Sequence, residues 1–361
     1  YPLYANGFSS EHPTIPFSDK QWLVIPEGFA YTKWTFKENL SIGFGGRFHP
    51  KFDNLESYTS YQINLSYTLQ EKHQLIASIG EYHKFQLPNG ESERVQKLFS
   101  RQYSLDYQFN TKKWNGTLGV RYEDSYSEGY SITLDSTLTR DIAKLFPSAS
   151  ISRSLTEELG ATFAYSYRVD RPNYSSLNPF VYYLDPFTSE RGNPSLAPAF
   201  THSMKFNLAY EKQPFFNIEY KITNDAMVEV TEQEDATGET FLTNVNLESF
   251  KNLNISLFFP LDFVPGISGY GGFIANHGKY DSKYLDQDFF RSKWDYTAYV
   301  QTEFMLPGKI NTELSGWYNS GGQDGIINAS WLYGVDIGFS KKFMDNKLRV
   351  SLGVENILAR Y

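Results

Sequence analysis

The sequence contains no cysteine, no long apolar run and no excess of basic residues. Without cysteine, neither a disulfide framework nor a thiolate metal site can form. A transmembrane helix needs about 20 mostly apolar residues, whereas the mean hydropathy of this chain is −0.46. The net charge of −8 and the pI near 5.4 provide no basic face for a nucleic-acid partner. These absences exclude helical membrane proteins and disulfide-rich domains, and they argue against a nucleic-acid-binding protein.

Motifs of the common enzyme classes are absent as well. The chain has no GxxxxGK[ST], GxSxG, HExxH or GxGxxG, and Gly269–Gly272 lacks the Lys-Ser/Thr that a phosphate-binding loop requires. The six histidines show no ligand spacing. Acidic residues at 232–235 and at Asp281, Asp286 and Asp288 could bind calcium through oxygen atoms, but without EF-hand spacing a solvated loop is favoured. We therefore expect no enzymatic activity, no cofactor and no metal centre.

Aromatic residues, by contrast, are abundant at 17%, and they follow an alternating pattern. Between Leu159 and Arg168 every second residue is apolar or aromatic, and most of the residues between them are small or polar. Successive side chains of a strand point to opposite faces, so this pattern predicts a strand with one apolar and one polar face. The same alternation recurs at 61–69, 204–210, 216–223, 331–340 and 348–355.

The lengths and connections of these segments predict a membrane barrel. About 17 segments occur, many of about 9–13 residues, whereas soluble strands have about 5–6 residues and a tilted membrane strand about 9–11. Short turns are expected at 37–39, 71–73, 110–113, 156–158, 212–213, 307–309 and 344–347. Longer polar loops are expected at 50–56, 86–97, 170–198, 278–290 and 320–328. Periplasmic turns and longer extracellular loops are typical of bacterial outer-membrane barrels.

We therefore predict an all-β fold, a transmembrane antiparallel up-and-down β-barrel with about 17 strands in this chain. Charged side chains are expected to face the lumen and apolar ones the lipid. The predicted lumen residues are Arg121, Arg168, Lys205, Glu219, Lys221, Glu303 and Asp336. The predicted lipid-facing residues are Phe163, Leu208, Ile218 and Val335. Interfacial aromatic girdles are expected to include Trp34, Tyr67, Trp114, Tyr122, Tyr210, Trp331 and Phe343.

A distinctive motif occupies residues 171–200. It begins Arg-Pro-Asn-Tyr-Ser-Ser-Leu-Asn-Pro-Phe-Val-Tyr-Tyr-Leu-Asp-Pro and continues to Gly-Asn-Pro-Ser-Leu-Ala-Pro. Together with Ser60–Gln86 and Leu348–Leu358, it resembles the Bacteroidota-type outer-membrane β-barrel family of the TonB-dependent receptor superfamily. The family pattern has the form RPxYxxLNPFxxYxDP…GNPxLxP. The matching residues that we take as candidate site residues are Arg171, Pro172, Tyr174, Asn178, Pro179, Phe180, Tyr183, Asp185, Gly192, Asn193 and Pro194.

The resemblance implies more than these 361 residues contain. It implies a barrel of about 22 strands, an N-terminal plug and a periplasmic segment that contacts the TonB complex. We expect the plug, the TonB-contacting segment, any signal peptide and the final strands to lie outside this chain, so that residues 1–361 form a partial barrel domain. The implied location is the bacterial outer membrane, with membrane lipid, the TonB complex and a surface lipoprotein as candidate partners.

The motif also has a direct physical interpretation. Arg171-Pro172 and Asn178-Pro179 fix backbone angles and favour extended residues before each proline. Gly192-Asn193-Pro194 provides turn chemistry before the next strand. We therefore expect a folded loop rather than a flexible one. For its individual residues a structural role is favoured over ligand contact, and the loop as a whole is a candidate contact surface.

Three classes of function are compatible with the sequence. The first is a TonB-dependent transporter for a scarce or large nutrient such as a glycan, a peptide or a metal chelate. The second is a passive or structural barrel, a porin or an adhesin platform, without energy coupling. The third is a soluble all-β binding protein or carbohydrate enzyme. A plug sequence would distinguish the first two classes, and partitioning into detergent would distinguish both from the third.

Overall fold

Antiparallel β-strands make up most of the described part of the computed structural model of this chain. Among the described residues, sixteen strands have ten residues or more, and the only helix has four. No helix in this part of the chain has the length and hydropathy of a membrane span. The structure describes residues 14–16, 22–24, 28–37, 40–51, 56–69, 72–86, 94–131, 135–234, 238–262, 265–285, 287–325, 327–345 and 347–360.

The bounds of the elements are as follows. The N-terminal strands are β1 (Thr14–Pro16), β2 (Trp22–Val24), β3 (Gly28–Lys37), β4 (Leu40–Lys51), β5 (Glu56–Leu69), β6 (His73–Gln86), β7 (Arg94–Asn110), β8 (Trp114–Ser131), β9 (Ser136–Ser154) and β10 (Leu159–Asp170). The central elements are α1 (Tyr174–Leu177), β11 (Val181–Asp185), β12 (Thr188–Arg191), β13 (Ala199–Tyr210), β14 (Gln213–Gln233) and β15 (Thr240–Pro260). The C-terminal strands are β16 (Ile267–Tyr284), β17 (Gln287–Leu306), β18 (Ile310–Asn319), β19 (Gln323–Asp324), β20 (Ile327–Asn328), β21 (Leu332–Phe343) and β22 (Leu348–Arg360).

The chain divides into two compact units. The first unit comprises residues 1–151, 166–198 and 231–245, and the second comprises 152–165, 199–230 and 246–361. In the first unit, β3 to β8 pair antiparallel in chain order. In the second unit, β13 pairs with β14, and β15 to β18 continue in order to β21 and β22. The predicted all-β antiparallel fold is confirmed.

Alternation along each strand gives the first unit one polar and one apolar face. Asn64, Ser78, Ser104 and Arg121 lie side by side in one row across β5 to β8. The adjacent row, one residue along each strand, contains Leu65, Ala77, Leu105 and Val120. Side chains of that second row are exposed, for example Leu65 at 46% and Leu105 at 47%. An exposed apolar face is what a strand in contact with lipid requires.

The second unit has the same two faces. Lys205 lies opposite Glu219 on one face, and Phe206 lies opposite Ile218 on the other. Ser203 donates a hydrogen bond to Glu219 over 2.9 Å, and the Lys221 ammonium is 3.3 Å from the same carboxylate. The charged residues therefore satisfy one another on the polar face. The apolar face carries exposed side chains, among them Met204, Phe206, Tyr210, Leu257, Phe259, Trp294 and Tyr296.

The connections agree with the predicted turns in most places. The described turns at 111–113, 155–158, 211–212, 307–309 and 344–345 lie where short connections were expected. The predicted loop at 278–290 is wrong, because β16 continues to Tyr284 and β17 starts at Gln287, and the two form a continuous hairpin. The polar side chains of this stretch are typical of a loop, but a strand that extends beyond a bilayer needs no apolar face there. Residues 38–39, 52–55 and 87–93, which belong to three other predicted connections, lie outside the described residues.

The connection 320–331 folds back onto the strands of its own unit. The Gly325 N–H donates to the Tyr280 hydroxyl over 3.1 Å, and the Lys293 ammonium donates to the Gly322 carbonyl over 3.2 Å. Tyr280 and Val228 beneath it are buried. This predicted loop is therefore packed against the polar face of β16 and β17.

Candidate functional site

The motif segment, residues 171–198, joins β10 to β13 and begins with a short capped helix. Asn173 precedes α1, and its side-chain oxygen accepts a hydrogen bond from the Ser176 N–H over 2.7 Å. At the other end, the Asn178 N–H donates to the Ser175 carbonyl. Asparagine is a favoured N-cap because its side chain satisfies an amide that the first helical turn leaves free. The segment is thus folded, as the proline and glycine pattern predicted.

The Gly192-Asn193 pair closes the segment on itself. Gly192 donates its N–H to the Asn178 carbonyl over 2.8 Å, and Asn193 donates its N–H to the Ser176 carbonyl over 2.7 Å. A Cβ atom at Gly192 would lie 2.5 Å from the carbonyl oxygens of both Asn178 and Ser175. Only glycine permits this close backbone approach. Asn178, Gly192 and Asn193 therefore have structural roles in the segment.

Further hydrogen bonds attach the segment to neighbouring strands. The Asn193 side-chain amide donates to the Asn244 carbonyl on β15 over 2.9 Å. The Arg140 guanidinium on β9 donates to the Pro194 carbonyl. Leu177 and Leu196 are 2% and 1% exposed. Polar attachments and buried apolar side chains together hold the segment in one conformation.

The strongest electrostatic anchor of the segment is its first residue. The Arg171 guanidinium donates to the Glu123 carboxylate on β8 and to the Ser125 hydroxyl, the latter over 3.1 Å. Glu123 is 1% exposed, and it also accepts from the Ser100 hydroxyl over 3.2 Å and faces the Arg121 guanidinium at 3.6 Å. A buried carboxylate is tolerated only when it is paired and hydrogen-bonded. Two arginines and a hydroxyl meet that requirement.

A polar cavity of about 420 Å³ lies next to this anchor on the polar face of the first unit. Its wall includes Ser60, Gln62, Asn64, Gln102 and Arg121. The Nε atom of Arg121 is buried there and has no hydrogen-bond partner among the described residues. The cavity therefore presents hydroxyl, amide and guanidinium groups together with the Glu81 carboxylate.

The β11–β12 hairpin carries the exposed side chains of the segment. Tyr182, Tyr183, Leu184 and Phe187 are 51–69% exposed, and Phe180 is 37% exposed. The four most exposed of these apolar side chains lie within six consecutive residues of one hairpin tip. Aromatic rings held on a rigid turn are suited to ligand or protein contact, because little conformational entropy is lost on binding.

The tip itself is held by local hydrogen bonds. The Asp185 carboxylate accepts from the Phe187 N–H over 2.7 Å, and this bond, with the Thr188 hydroxyl, holds the pKa of Asp185 below its usual value. Residues 188–190 pair in parallel with residues 240–242 of β15. The Arg191 guanidinium lies 3.5 Å from the centre of the Phe241 ring. The hairpin is thus attached to β15 by backbone strand pairing and by a cation–π contact.

The structure separates the predicted site residues into two groups. Arg171, Asn178, Gly192, Asn193 and Pro194 are engaged in holding the segment. Phe180, Tyr183 and Asp185 are exposed on the hairpin or just before it, while Pro172 and Pro179 lie beside α1. Tyr174 lies in α1, and its side chain is outside the described part. The ligand-contact role of this set stays a prediction.

Sequence reasoning did not find the partners of Arg171. Glu123 lies two residues after Arg121, on the same face of β8. A second charged residue on that face was the sequence signal that could have indicated an ion-paired site there. Alternation assigns a face to a residue, but the pairing of Glu123 with a residue 48 positions away depends on how the whole segment folds.

Among the described residues, no three acidic, histidine or cysteine side chains form a cluster that could hold a metal ion. Asp235 and Asp286, which belong to the acidic runs considered for calcium, lie outside the described residues.

Comparison with known proteins identifies the class of this fold as an outer-membrane β-barrel. The profile of the outer membrane protein beta-barrel family matches residues 103–361. The chain belongs to this family, which confirms the predicted barrel class and places the protein in the bacterial outer membrane. The Bacteroidota-specific type inferred from the motif stays a prediction. A search of curated proteins gave no match.

Solved structures share the fold at low sequence identity. The copper transporter OprC is 7% identical with a TM-score of 0.59, over 92% of this chain and 60% of that one. The FrpB iron transporter from Neisseria meningitidis (F5-1 variant) is 12% identical with a TM-score of 0.56, over 94% of this chain and 60% of that one. Its F3-3 variant is 11% identical with a TM-score of 0.53, over 94% of this chain and 59% of that one. The chain therefore spans about 60% of the length of these structures.

Proposed function

We propose that this chain is part of the barrel of a TonB-dependent receptor that imports a scarce or large nutrient, and that the motif segment forms part of its entrance. The observation that carries the proposal is the exposed aromatic hairpin tip, held by a segment whose first residue pairs with buried Glu123. A receptor that captures a scarce ligand benefits from preformed contact groups, since ordering them on binding would weaken affinity.

Fold likeness supports the transport part of the proposal. The iron and copper transporters named above share the fold, while their cargoes are properties of those proteins. For this chain the nutrient class is left among glycan, peptide and metal chelate. Energy coupling would act through a TonB-contacting segment beyond these residues, and a surface lipoprotein is a candidate partner for the exposed tip.

Growth on defined media tests the proposal. A strain that lacks the gene is compared with the complemented strain on media whose only iron, carbon or nitrogen source is a ferric chelate, an oligosaccharide or a peptide. We expect a defect on one of these media and its reversal by the wild-type gene. A protonophore should abolish uptake of that nutrient, because energy-coupled import requires the proton gradient. Uptake that persists with the protonophore would instead establish a passive barrel.

The tip is tested with paired variants. Tyr183→Ser combined with Phe187→Ser should reduce uptake at limiting nutrient concentration while leaving the amount of assembled protein unchanged. Leu285→Ser is the matched control, because Leu285 is also 69% exposed and lies at the β16–β17 turn. Equal uptake by the tip variant and the control would remove the entrance role.

The third function class, a soluble protein, is excluded by membership of the outer-membrane family.

A further inference from the structure

The apolar face of β15 ends at a lysine. Going from the turn after β15 back along the strand, every second residue is apolar, at Phe259, Leu257, Ile255 and Leu253, and the next position is Lys251. These five positions span about 26 Å of strand at about 3.3 Å per residue. From Phe259 to Lys251 the strand has nine residues, and a tilted strand crosses a membrane in about 9–11 residues. Lys251 therefore lies at the edge of the lipid-facing band.

Register places a second lysine directly beside the first. Lys251 lies opposite Lys279 of β16 in the antiparallel ladder. One rung closer to the apolar band, Leu253 lies opposite His277, which in turn lies opposite Trp294 of β17. Residues that face each other in such a ladder have Cβ atoms about 4.5–5.5 Å apart, and like charges in this position are destabilising.

Neighbouring groups neutralise only part of this charge. The Lys279 ammonium is 3.6 Å from the Asp281 carboxylate and 5.0 Å from the centre of the Phe290 ring. Within the described residues, Lys251 forms no ion pair. Two lysines and one aspartate leave a net positive charge at the edge of the band, and the exposed Asp281 is a weak partner.

Two hydroxyl groups lie in the same row. Ser292 of β17 lies opposite Lys279, and its hydroxyl is hydrogen-bonded to the His277 Nε2 atom over 2.9 Å. β14 and β15 are neighbours in the sheet, and the Asn217 side-chain amide donates to the Asn254 side-chain oxygen over 3.4 Å. Counting along the two antiparallel strands from this contact aligns Tyr220 with Lys251. The row across β14 to β17 is therefore Tyr220, Lys251, Lys279 and Ser292. Ammonium and hydroxyl donors in one row form a suitable site for phosphate oxygens.

We propose that this row binds the phosphate of an anionic lipid headgroup at the membrane surface. The phosphate would bridge the two ammonium groups and remove their repulsion, while the acyl chains lie along the apolar column below Lys251. Trp294, one rung closer to the apolar band, has the interfacial position that tryptophan favours in membrane proteins. With the short turns in the periplasm, this edge of the band is in the outer leaflet. The site is independent of transport and lies on the opposite face of the sheet from the lumen residues.

The test uses the protein purified in dodecyl maltoside in phosphate-free buffer. Binding of a phosphorylated lipid A and of its dephosphorylated counterpart is measured by native mass spectrometry, and the thermal unfolding midpoint is recorded in parallel. We expect the wild type to bind the phosphorylated lipid more tightly. Lys251→Ala and Lys279→Ala should each weaken binding about fivefold, the effect of roughly 1 kcal/mol for one basic residue near an anionic lipid surface. Lys251→Arg, which keeps the positive charge, should retain most of the wild-type affinity.

Lys341→Ala is the matched control. Lys341 lies on the corresponding face of β21, opposite Val350 and near the end of the strand at Phe343. Its substitution therefore removes the same charge from the opposite edge of the apolar band. Without lipid, Lys251→Ala should unfold at a midpoint equal to or above that of the wild type, because one repulsive charge is gone. Equal weakening by Lys251→Ala and Lys341→Ala would overturn the proposal. So would equal binding of the dephosphorylated lipid, or full stabilisation of the wild type by millimolar inorganic phosphate alone.

Discussion

Arg171, the first residue of the motif segment, donates to the carboxylate of Glu123, which is 1% exposed on β8. This pair connects the segment to a strand 48 positions earlier in the chain. Arg121 and Ser100 also contact Glu123 and hold its carboxylate in place. The start of the segment is therefore anchored to the polar face of the sheet.

Loss of this pair should destabilise the motif segment. Arg171→Ala leaves a buried carboxylate with one remaining arginine, so we expect a cost of about 3 kcal/mol, the lower end for breaking a buried ion pair. Equilibrium urea unfolding in lipid vesicles measures the cost, and protease cleavage within 171–198 reports local opening. Lys97→Ala is the control, since the Lys97–Glu128 pair is solvent-exposed and exposed ion pairs contribute little to stability. Equal costs for the two variants would contradict the anchoring role.

A side chain at Gly192 should open the segment without affecting the barrel. The Cβ of Gly192→Ala would meet two backbone oxygens at 2.5 Å, so we expect a local cost of about 1–3 kcal/mol. Limited proteolysis between 171 and 198 should accelerate while the global unfolding midpoint stays close to that of the wild type. Gly160→Ala is the control, because its Cβ would meet its nearest neighbour at an ordinary 3.8 Å. Unchanged proteolysis of Gly192→Ala would show that the close approach is not required.

The two faces of β13 should respond differently to substitution. Leu208 lies opposite Phe216 on the face that carries exposed Phe206 and Tyr210, and Lys205 lies opposite Glu219 on the polar face. If the first face contacts lipid, Leu208→Arg should cost about 2–4 kcal/mol near mid-bilayer, and Lys205→Ala far less. Reversible unfolding in vesicles gives both values. Equal midpoints would contradict the assignment of the apolar face to lipid.

Alternation in the sequence predicted the strands well. The strand expected at Leu159–Arg168 extends from Leu159 to Asp170, and the one expected at about 201–210 extends from Ala199 to Tyr210. The local pattern is sufficient to predict a strand, because successive residues of a strand face two different environments in turn.

Features that depend on contacts distant in the chain were not predictable. The hairpin around Lys279 to Phe290 was missed because its outward side chains are polar, as a strand beyond the apolar band allows. The partner of Arg171 depends on the fold of the whole motif segment. Packing of Gly325 against Tyr280 likewise depends on how the 320–331 connection returns to its unit.

Surface labelling of single cysteines in intact cells tests the central claim most directly, because the chain contains no cysteine of its own. Phe187→Cys places a thiol at the hairpin tip, where the side chain is 69% exposed, and Gln213→Cys places one beside the short turn at 211–212. We predict that a membrane-impermeant maleimide labels the cysteine at position 187 and reaches the one at 213 only after the outer membrane is permeabilised. Labelling at 213 in intact cells, with none at 187, would contradict the proposed orientation and the entrance role of the motif segment.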